Sequence, residues 1–427
     1  MIVESKLREN FFPLTYTKLS ASLLFGTRSL RESIEEEFSA KATDILVPNY
    51  LQGYTYEIFP DLQVNASISS ECIIANSHLS YNPPLWKFIF DALNREKECL
   101  YVDTEGNVVF GKIKEFDPKK LDLLGKIKSI ESNSPKIQIR PLPSELEKIA
   151  MLRFPWELVR LNSDKITQDF SSDKNFSSTE NPRSGDIETR GGRIWISSDA
   201  DIERFVTLDS RKGPIIIDSC AEVQSFSHIT GPAYIGKKVK VKTARIREGT
   251  TIGASSKISG EVESSIIGEF SNKSHDGFLG HSIVGSWSNL GALTTCSDLK
   301  NTYGNIGVKL GRKTVNTGEI KVGVFMADMT KTAIGTLLTS GKKIGVASQV
   351  FGLVAEDVPS FTMYGKSLGA KSSELILDSA LLTQKRMMER RGLSMTKTME
   401  ALIRSVYKMT IRERAFQRVS KARFKLP

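Results

Sequence analysis

From Ile217 onward, aliphatic residues return every six positions, at Ile217, Val223, Ile229, Ile235 and Val241. After a slip of one residue they continue at Ile246, Ile252 and Ile258. An α-helix repeats every 3.6 residues and a half-buried strand every two, so neither produces this step. A triangular β-solenoid does. Each side carries one short strand whose aliphatic residue points to the axis, and three steps close a coil. Pairs such as Ile235-Gly236, Ile252-Gly253, Ile267-Gly268, Val284-Gly285, Leu290-Gly291, Val322-Gly323, Ile334-Gly335 and Ile344-Gly345 recur along the stretch. Glycine at these places is expected to supply positive φ at the corners. Ordinary hairpins would instead show period-two alternation and two-residue turns. Residues 194–371 are therefore expected to wind into a left-handed parallel β-helix. The stretch 297–319 breaks the step and reads as a loop thrown out from a coil, a place where repeat proteins tend to bind.

The rest of the chain has a different grain. Residues 1–168 read as a mixed α/β domain, with strand candidates at Asp44–Val47, Cys99–Val102 and Val108–Phe110 and helix candidates at Ser29–Phe38 and Ser144–Leu152. Residues 169–193 are rich in Ser, Asn, Asp, Pro and Gly, including Ser171, Ser172, Ser177, Ser178, Pro182 and Gly185, and read as a linker. Residues 372–427 read as helices. Ser372 or Ser373 with Glu374 marks a start and Gly392 a stop, and a second helix follows from near Ser394. The formal charge of +10 is concentrated here, because Lys385–Pro427 holds thirteen Lys or Arg against Glu389, Glu400 and Glu413. Such a tail can meet nucleic acid or anionic lipid, but without interleaved aromatics it reads first as a solvated helix face. The four cysteines, Cys72, Cys99, Cys220 and Cys296, form no C-x-x-C pair, which speaks against a disulfide framework and fits a reducing cytoplasm. No apolar run approaches the ~20 residues that span a bilayer.

Chemistry-bearing residues gather in one stretch. Of the four histidines, His275 and His281 stand in Asn272-Lys273-Ser274-His275-Asp276-Gly277-Phe278-Leu279-Gly280-His281, followed by Asn289-Leu290-Gly291-Ala292. A His, three residues, Leu-Gly, then an Asn-x-Gly-Ala turn resembles the acetyltransferase half of the bifunctional glucosamine-1-phosphate acetyltransferase/uridylyltransferases. The match is closer to a variant form of that family in Ser297-Asp298-Leu299-Lys300-Asn301 with Tyr303. It also holds in Asn10-Phe11-Phe12-Pro13-Leu14-Thr15-Tyr16-Thr17-Lys18 near the start. The resemblance covers most of the chain, from about residue 9 to 407.

That resemblance implies a transferase with two activities. One is acetyl transfer from acetyl-CoA to glucosamine 1-phosphate, and the other is uridylyl transfer from UTP, with Mg²⁺, to give UDP-N-acetylglucosamine. His275 would be the base, since an imidazole titrating near neutrality can take the proton of an attacking amine. Asn289 would hold the acceptor, and Lys300, Asn301 and Tyr303 the sugar phosphate. His281 reads as a surface residue. Sugar-1-phosphate nucleotidyltransferases usually open with a Gly-rich loop ahead of Gly-Thr-Arg. Gly26-Thr27-Arg28 is present, but Ala21-Ser22-Leu23-Leu24 replaces the glycines. Lys18, Arg28 and Arg31 are the candidate triphosphate contacts, although Arg31 could equally pair with Glu32 on a helix surface. Asp103, at a strand end, is the candidate Mg²⁺ ligand. A homotrimer in the cytoplasm, without membrane or nucleic-acid partners, completes the expectation. Two alternatives stand beside it. One is a single-activity acyltransferase with a degenerate first domain. The other is a non-catalytic scaffold resembling translation-initiation exchange-factor subunits, for which His275 would have no use.

Overall fold

The six-residue step becomes three parallel columns of side chains. The computed structural model describes residues 1–115, 137–177 and 187–426. It divides into two units: Met1–Leu23, Arg28–Phe154 and Lys397–Leu402 form the first, and Leu24–Thr27, Pro155–Thr396 and Ile403–Pro427 the second.

In the second unit an eight-stranded parallel sheet starts at Ile194–Ile196 and ends at Lys343–Ile344. Its register stacks Ile217, Ile235, Ile252, Ile267, Val284, Met326 and Ile344 directly over one another. A second column runs Val223, Val241, Ile258. A third runs Leu208, Ile229, Ile246, Val262, Leu279. All three meet in one apolar core along the axis. One rung departs from the pattern. Lys273 occupies the position after Ile258 in the second column, where an aliphatic residue belongs.

The glycines do not act as expected. Of the eight aliphatic-Gly pairs, only Gly335 has positive φ. The left-handed corners fall two residues later, on Lys238, Ser255, Phe270, Trp287 and Ala347. The glycines are needed for close approach instead. A Cβ on Gly236 would lie 2.6 Å from Ile252 O, one on Gly268 2.7 Å from Ser286 N, and one on Gly285 2.5 Å from Asp328 N. Coils stack at strand spacing, about 4.8 Å, and leave no room there for a methyl group.

The expected domain boundary moves. Asp169–Ser172 ends an eighteen-residue helix, Pro155–Ser172, that buries Trp156, Leu158, Val159 and Ile166 and belongs to the second unit. Its Asn162 donates to Gly249 O (2.9 Å) and to Thr251 Oγ1 (3.0 Å) of a coil. At the other end of the supposed linker, Glu188–Arg190 pairs with Thr207–Asp209 as a solenoid rung. Ser178, Pro182 and Gly185 lie outside the described residues. The 297–319 stretch leaves the coil as expected and contains an antiparallel hairpin, Gly307–Leu310 with Lys313–Asn316. Ser373–Glu374 does not start a helix; it pairs with Thr362–Met363 as a strand. The helices are Leu377–Glu389, Lys397–Met409 and Ile411–Phe416, and Gly392 follows the first in a left-handed conformation. Part of the basic tail is not solvated, since Arg414 is buried and pairs with Glu374 at 2.7 Å.

The first unit is built on a seven-stranded mixed sheet. Its order is Gln63–Val64, Asp44–Leu46, Ile2–Val3, Cys72–Asn76, Val108–Ile113, Cys99–Val102, Gln138–Pro141. The first four strands are parallel, and Val108–Ile113 runs against its neighbours. Helices Leu30–Glu37 and Pro83–Arg95 bury Ile34, Leu85, Trp86 and Ile89 in the core on one side of the sheet. Ser29 caps the first through a capping box with Glu32. No described helix is long and apolar enough to cross a membrane.

Candidate active site

His275 sits on a four-residue loop, Ser274–Gly277, between the short strands Asn272–Lys273 and Phe278–Gly280. It is exposed, and its ring takes no hydrogen bond among the described residues. The loop beneath it is fixed from three directions. Lys273, 3% exposed, donates from Nζ to Ser259 O (2.8 Å), His275 O (3.2 Å) and Gly277 O (2.7 Å). Burial pushes its ammonium down to about 8, with nearby Asp276 opposing the shift. Ser274 Oγ donates to Asn272 Oδ1 (2.5 Å), and Asn272 Nδ2 donates to Asn289 Oδ1 (2.7 Å). Asp276 O accepts from Leu293 N at 2.9 Å, and Gly277 sits so close to Thr294 O that a Cβ would lie 2.1 Å from it.

The His275 loop and the Asn289–Thr294 turn are thus one continuous structure, which the sequence motif implied. Asn289 is locked in turn to the next coil, donating to Thr330 O at 2.9 Å. Beside it in the same register stands Lys331. Its Nζ donates to Met329 O (2.6 Å), and burial alone pushes its pKa down to about 8.

Lys300, Asn301 and Tyr303 occupy an exposed turn. Tyr303 N donates to Lys300 O (2.9 Å), and Lys300 Nζ donates to Asn305 O (2.6 Å). No described contact brings them to His275. What stands at the root of this loop is a pair that sequence reasoning missed. His281 Nδ1 lies 2.7 Å from Asp298 Oδ2, joining two coils. Read alone, His281 was a surface residue; the partner comes from seventeen positions away, one coil on.

The expected triphosphate contacts are spread differently. Gly26 N donates to Asn162 Oδ1 (2.8 Å), and Thr27 N and Oγ1 donate to Asp169 Oδ2 (2.8 and 2.9 Å). Asp169 also pairs with the buried Lys165. The amides of Gly26 and Thr27 are therefore occupied within the second unit and are not open to an anion. In the first unit Arg28 pairs with Glu36. Arg31 pairs with Glu35 (3.0 Å), not Glu32, and lies 4.5 Å over the Phe59 ring. Lys18 is half-buried in the loop behind Pro13. That loop is tied by a buried network. Glu4 accepts from Ser20 N (3.0 Å) and Ala21 N (2.9 Å), and Arg8 pairs with Glu4 and donates to Tyr50 OH (2.9 Å).

Asp103 does not fit a cation site. Its oxygens accept from Glu105 N (3.0 Å), Asn107 N (2.7 Å), Asn107 Nδ2 (2.8 Å) and Arg153 Nη2 (3.0 Å). It anchors the turn between two strands. Among the described residues no group of three or more His, Cys, Asp or Glu could hold a metal ion.

Comparison with known proteins gives residues 1–175 as a match to the sugar nucleotidyl transferase family. The chain is similar to a bifunctional sugar-1-phosphate nucleotidylyltransferase/acetyltransferase of Sulfurisphaera tokodaii, with 32% identity over 143 residues, 33% of this chain and 36% of that protein. It is also similar to the bifunctional protein GlmU of Sphingopyxis alaskensis, with 37% identity over 111 residues, 24% of each chain. The matched stretches thus span about a third and a quarter of the lengths of these two relatives. Among solved structures, the UDP-N-acetylglucosamine acyltransferase from Campylobacter jejuni aligns at 13% identity and a TM-score of 0.25, over 55% of this chain and 84% of that one. Residues 1–175 thus match the sugar nucleotidyl transferase family by sequence, and the second unit is a parallel β-helix with C-terminal helices.

Proposed function

We propose that the protein makes UDP-N-acetylglucosamine, or a related nucleotide sugar, from a hexosamine 1-phosphate. In the first step the neutral amine of glucosamine 1-phosphate attacks the thioester carbon of acetyl-CoA. The N–C bond forms, the C–S bond breaks, and CoA leaves as thiolate. His275 takes the amine proton and the thiolate is then protonated. Asn289 holds the acceptor, and Lys300, Asn301 and Tyr303 supply sugar-phosphate contacts from their exposed turn. In the second step the sugar phosphate displaces pyrophosphate from UTP, with Lys18, Arg28 and Arg31 near the triphosphate. The observation that carries the reading is an exposed histidine on a loop fixed to Asn272 and Asn289. The names of the two bifunctional relatives support both steps. A homotrimer in the cytoplasm goes with this reading.

A second reading keeps only the acetyl transfer. It is favoured by the surroundings of the candidate nucleotide-binding residues. The Gly26 and Thr27 amides are taken, Arg28 and Arg31 are ion-paired, and Asp103 is saturated. The test is incubation with glucosamine 1-phosphate, acetyl-CoA, UTP and Mg²⁺, followed by mass spectrometry. UDP-N-acetylglucosamine is the expected product. N-acetylglucosamine 1-phosphate with no pyrophosphate released from any nucleoside triphosphate selects the second reading, and release of no CoA overturns both.

A further inference from the structure

Among the described rungs of its column, which include Val223, Val241, Ile258 and Leu290, Lys273 alone is charged. An ammonium in a core is expensive to desolvate, and an aliphatic residue of the same length would fill the space without that cost. The fold nevertheless keeps it and surrounds it with three carbonyls, Ser259 O from one coil and His275 O and Gly277 O from the next. Gly260 makes the room: a Cβ there would lie 2.8 Å from Lys273 Nζ and 3.0 Å from Asp276 Cα. Two of the three acceptors belong to the loop that displays His275, and they flank that loop's outermost turn. The ammonium therefore pulls the loop down onto the coil from beneath. The Ser274–Asn272–Asn289 chain holds it from the side.

We infer that Lys273 is a positioning residue for acetyl transfer: its ammonium fixes the backbone of the Ser274–Gly277 loop so that the His275 ring stands where the acceptor amine arrives. The inference rests on His275 being the base. Lys273 touches no substrate, and its effect passes through the carbonyls of His275 and Gly277. A loop held this way presents one orientation of the imidazole; a loop released from it samples several, and a small misplacement of a base is costly in rate.

The test compares wild type with Lys273→Met, Lys273→Leu and His275→Ala in the full chain. In Lys273→Met, kcat for acetyl transfer should fall by about 10- to 100-fold. KM for acetyl-CoA and for glucosamine 1-phosphate should stay near wild type, because neither ligand loses a contact. Tm should stay close to wild type, because relief of a buried charge opposes the loss of the ammonium's bonds to three carbonyls. Hydrogen exchange of a peptide spanning 272–280 should quicken in the variant. A fall in Tm together with kcat in both Met and Leu variants makes Lys273 a folding residue and overturns the inference. So does wild-type kcat in Lys273→Met alongside an inactive His275→Ala, which leaves the base assignment standing. If His275→Ala is as active as wild type, the base reading itself fails; unchanged exchange in the 272–280 peptide then overturns the positioning role as well.

Discussion

At the scale of residues, His275 and Lys273 make opposite predictions. His275 is exposed and its side chain supports nothing, so His275→Ala should leave Tm within about 1 °C while acetyl transfer, followed by CoA release, falls by ~10²–10⁴. Wild-type CoA release across neutral pH would refute its role. Lys273 should reveal itself in stability. Its folded pKa lies at about 8, below the ordinary 10.5, so between those values the unfolded chain binds more protons than the folded one. Stability from this group therefore rises with pH across that window. Lys273→Met has no such group. The urea midpoint of wild type should gain on that of the variant as pH rises from about 8 to 10.5. Lys331 shifts the same way but is present in both proteins and cancels. The junction of the His275 loop with the Asn289 turn was legible because a motif fixes their spacing. Lys273 was legible too, six positions after Ile267 where an aliphatic residue should stand, but the expected break was sought only in the protruding loop. His281 with Asp298 was not, since their meeting depends on coil length. Asp103 was ambiguous: a strand-end aspartate may bind a cation or anchor a turn, and Asn107 and Arg153 decide it. Asp103→Ala should accordingly destabilise by ~1–3 kcal/mol in urea unfolding, because it strands buried donors.

Elements repeat this lesson at a coarser grain. The six-step read from Ile217 to Ile258 places every one of its eight residues in the solenoid core, because that pattern is set by which side chains face the axis. Glycine was misassigned because two demands meet at each corner, positive φ and close approach, and the sequence does not say which residue bears which. The structure puts φ on Lys238, Ser255 and Phe270 and contact on Gly236, Gly253 and Gly268. Gly268→Ala should therefore force Ser286 N, 2.7 Å from the new methyl carbon, to move, costing ~1–3 kcal/mol in urea unfolding. Lys238→Gly, which relieves a left-handed φ, should change stability by less than ~1 kcal/mol, since the relief is offset by the entropy of glycine. If the two substitutions cost the same, the close-approach account is wrong. The Pro155–Ser172 helix was hidden in a Ser- and Asp-rich tail because its last turns are held by polar side chains: Asn162 bonds a coil, and Lys165 pairs with Asp169.

For the whole molecule, the β-helix leaves an aliphatic strip in the open. Leu337 and Leu353 occupy successive rungs of the Thr295–Cys296 sheet, 50% and 42% exposed. Gly335 N donates to Ala292 O, which stacks the corner carrying Ile334 over the one carrying Leu293, 79% and 62% exposed. Isolated exposed aliphatic residues are ordinary, but three leucines and an isoleucine on adjoining rungs and corners form a patch that further copies of the same chain would cover. The protein should therefore scatter light as a trimer at micromolar concentration, and Ile334→Asp with Leu337→Lys should yield a monomer that keeps its fold by circular dichroism. A monomeric wild type would end the idea. The second unit has its own core, so its folding can be examined by itself. A fragment beginning at Pro155 keeps the helix whose Asn162 bonds Gly249 and Thr251, losing the Gly26 and Thr27 partners while Lys165 and Asp169 still neutralise each other. A fragment beginning at Ile194 exposes that flank. The first should stay soluble and trimeric and acetylate glucosamine 1-phosphate, whereas the second should melt lower and be the more prone to aggregate. Neither should form a UDP-sugar. Equal Tm values for the two would mean that the Pro155–Ser172 helix adds nothing to the coil it covers. A folded, trimeric Pro155 fragment that releases no CoA would place part of the acetyl-transfer machinery in the first unit.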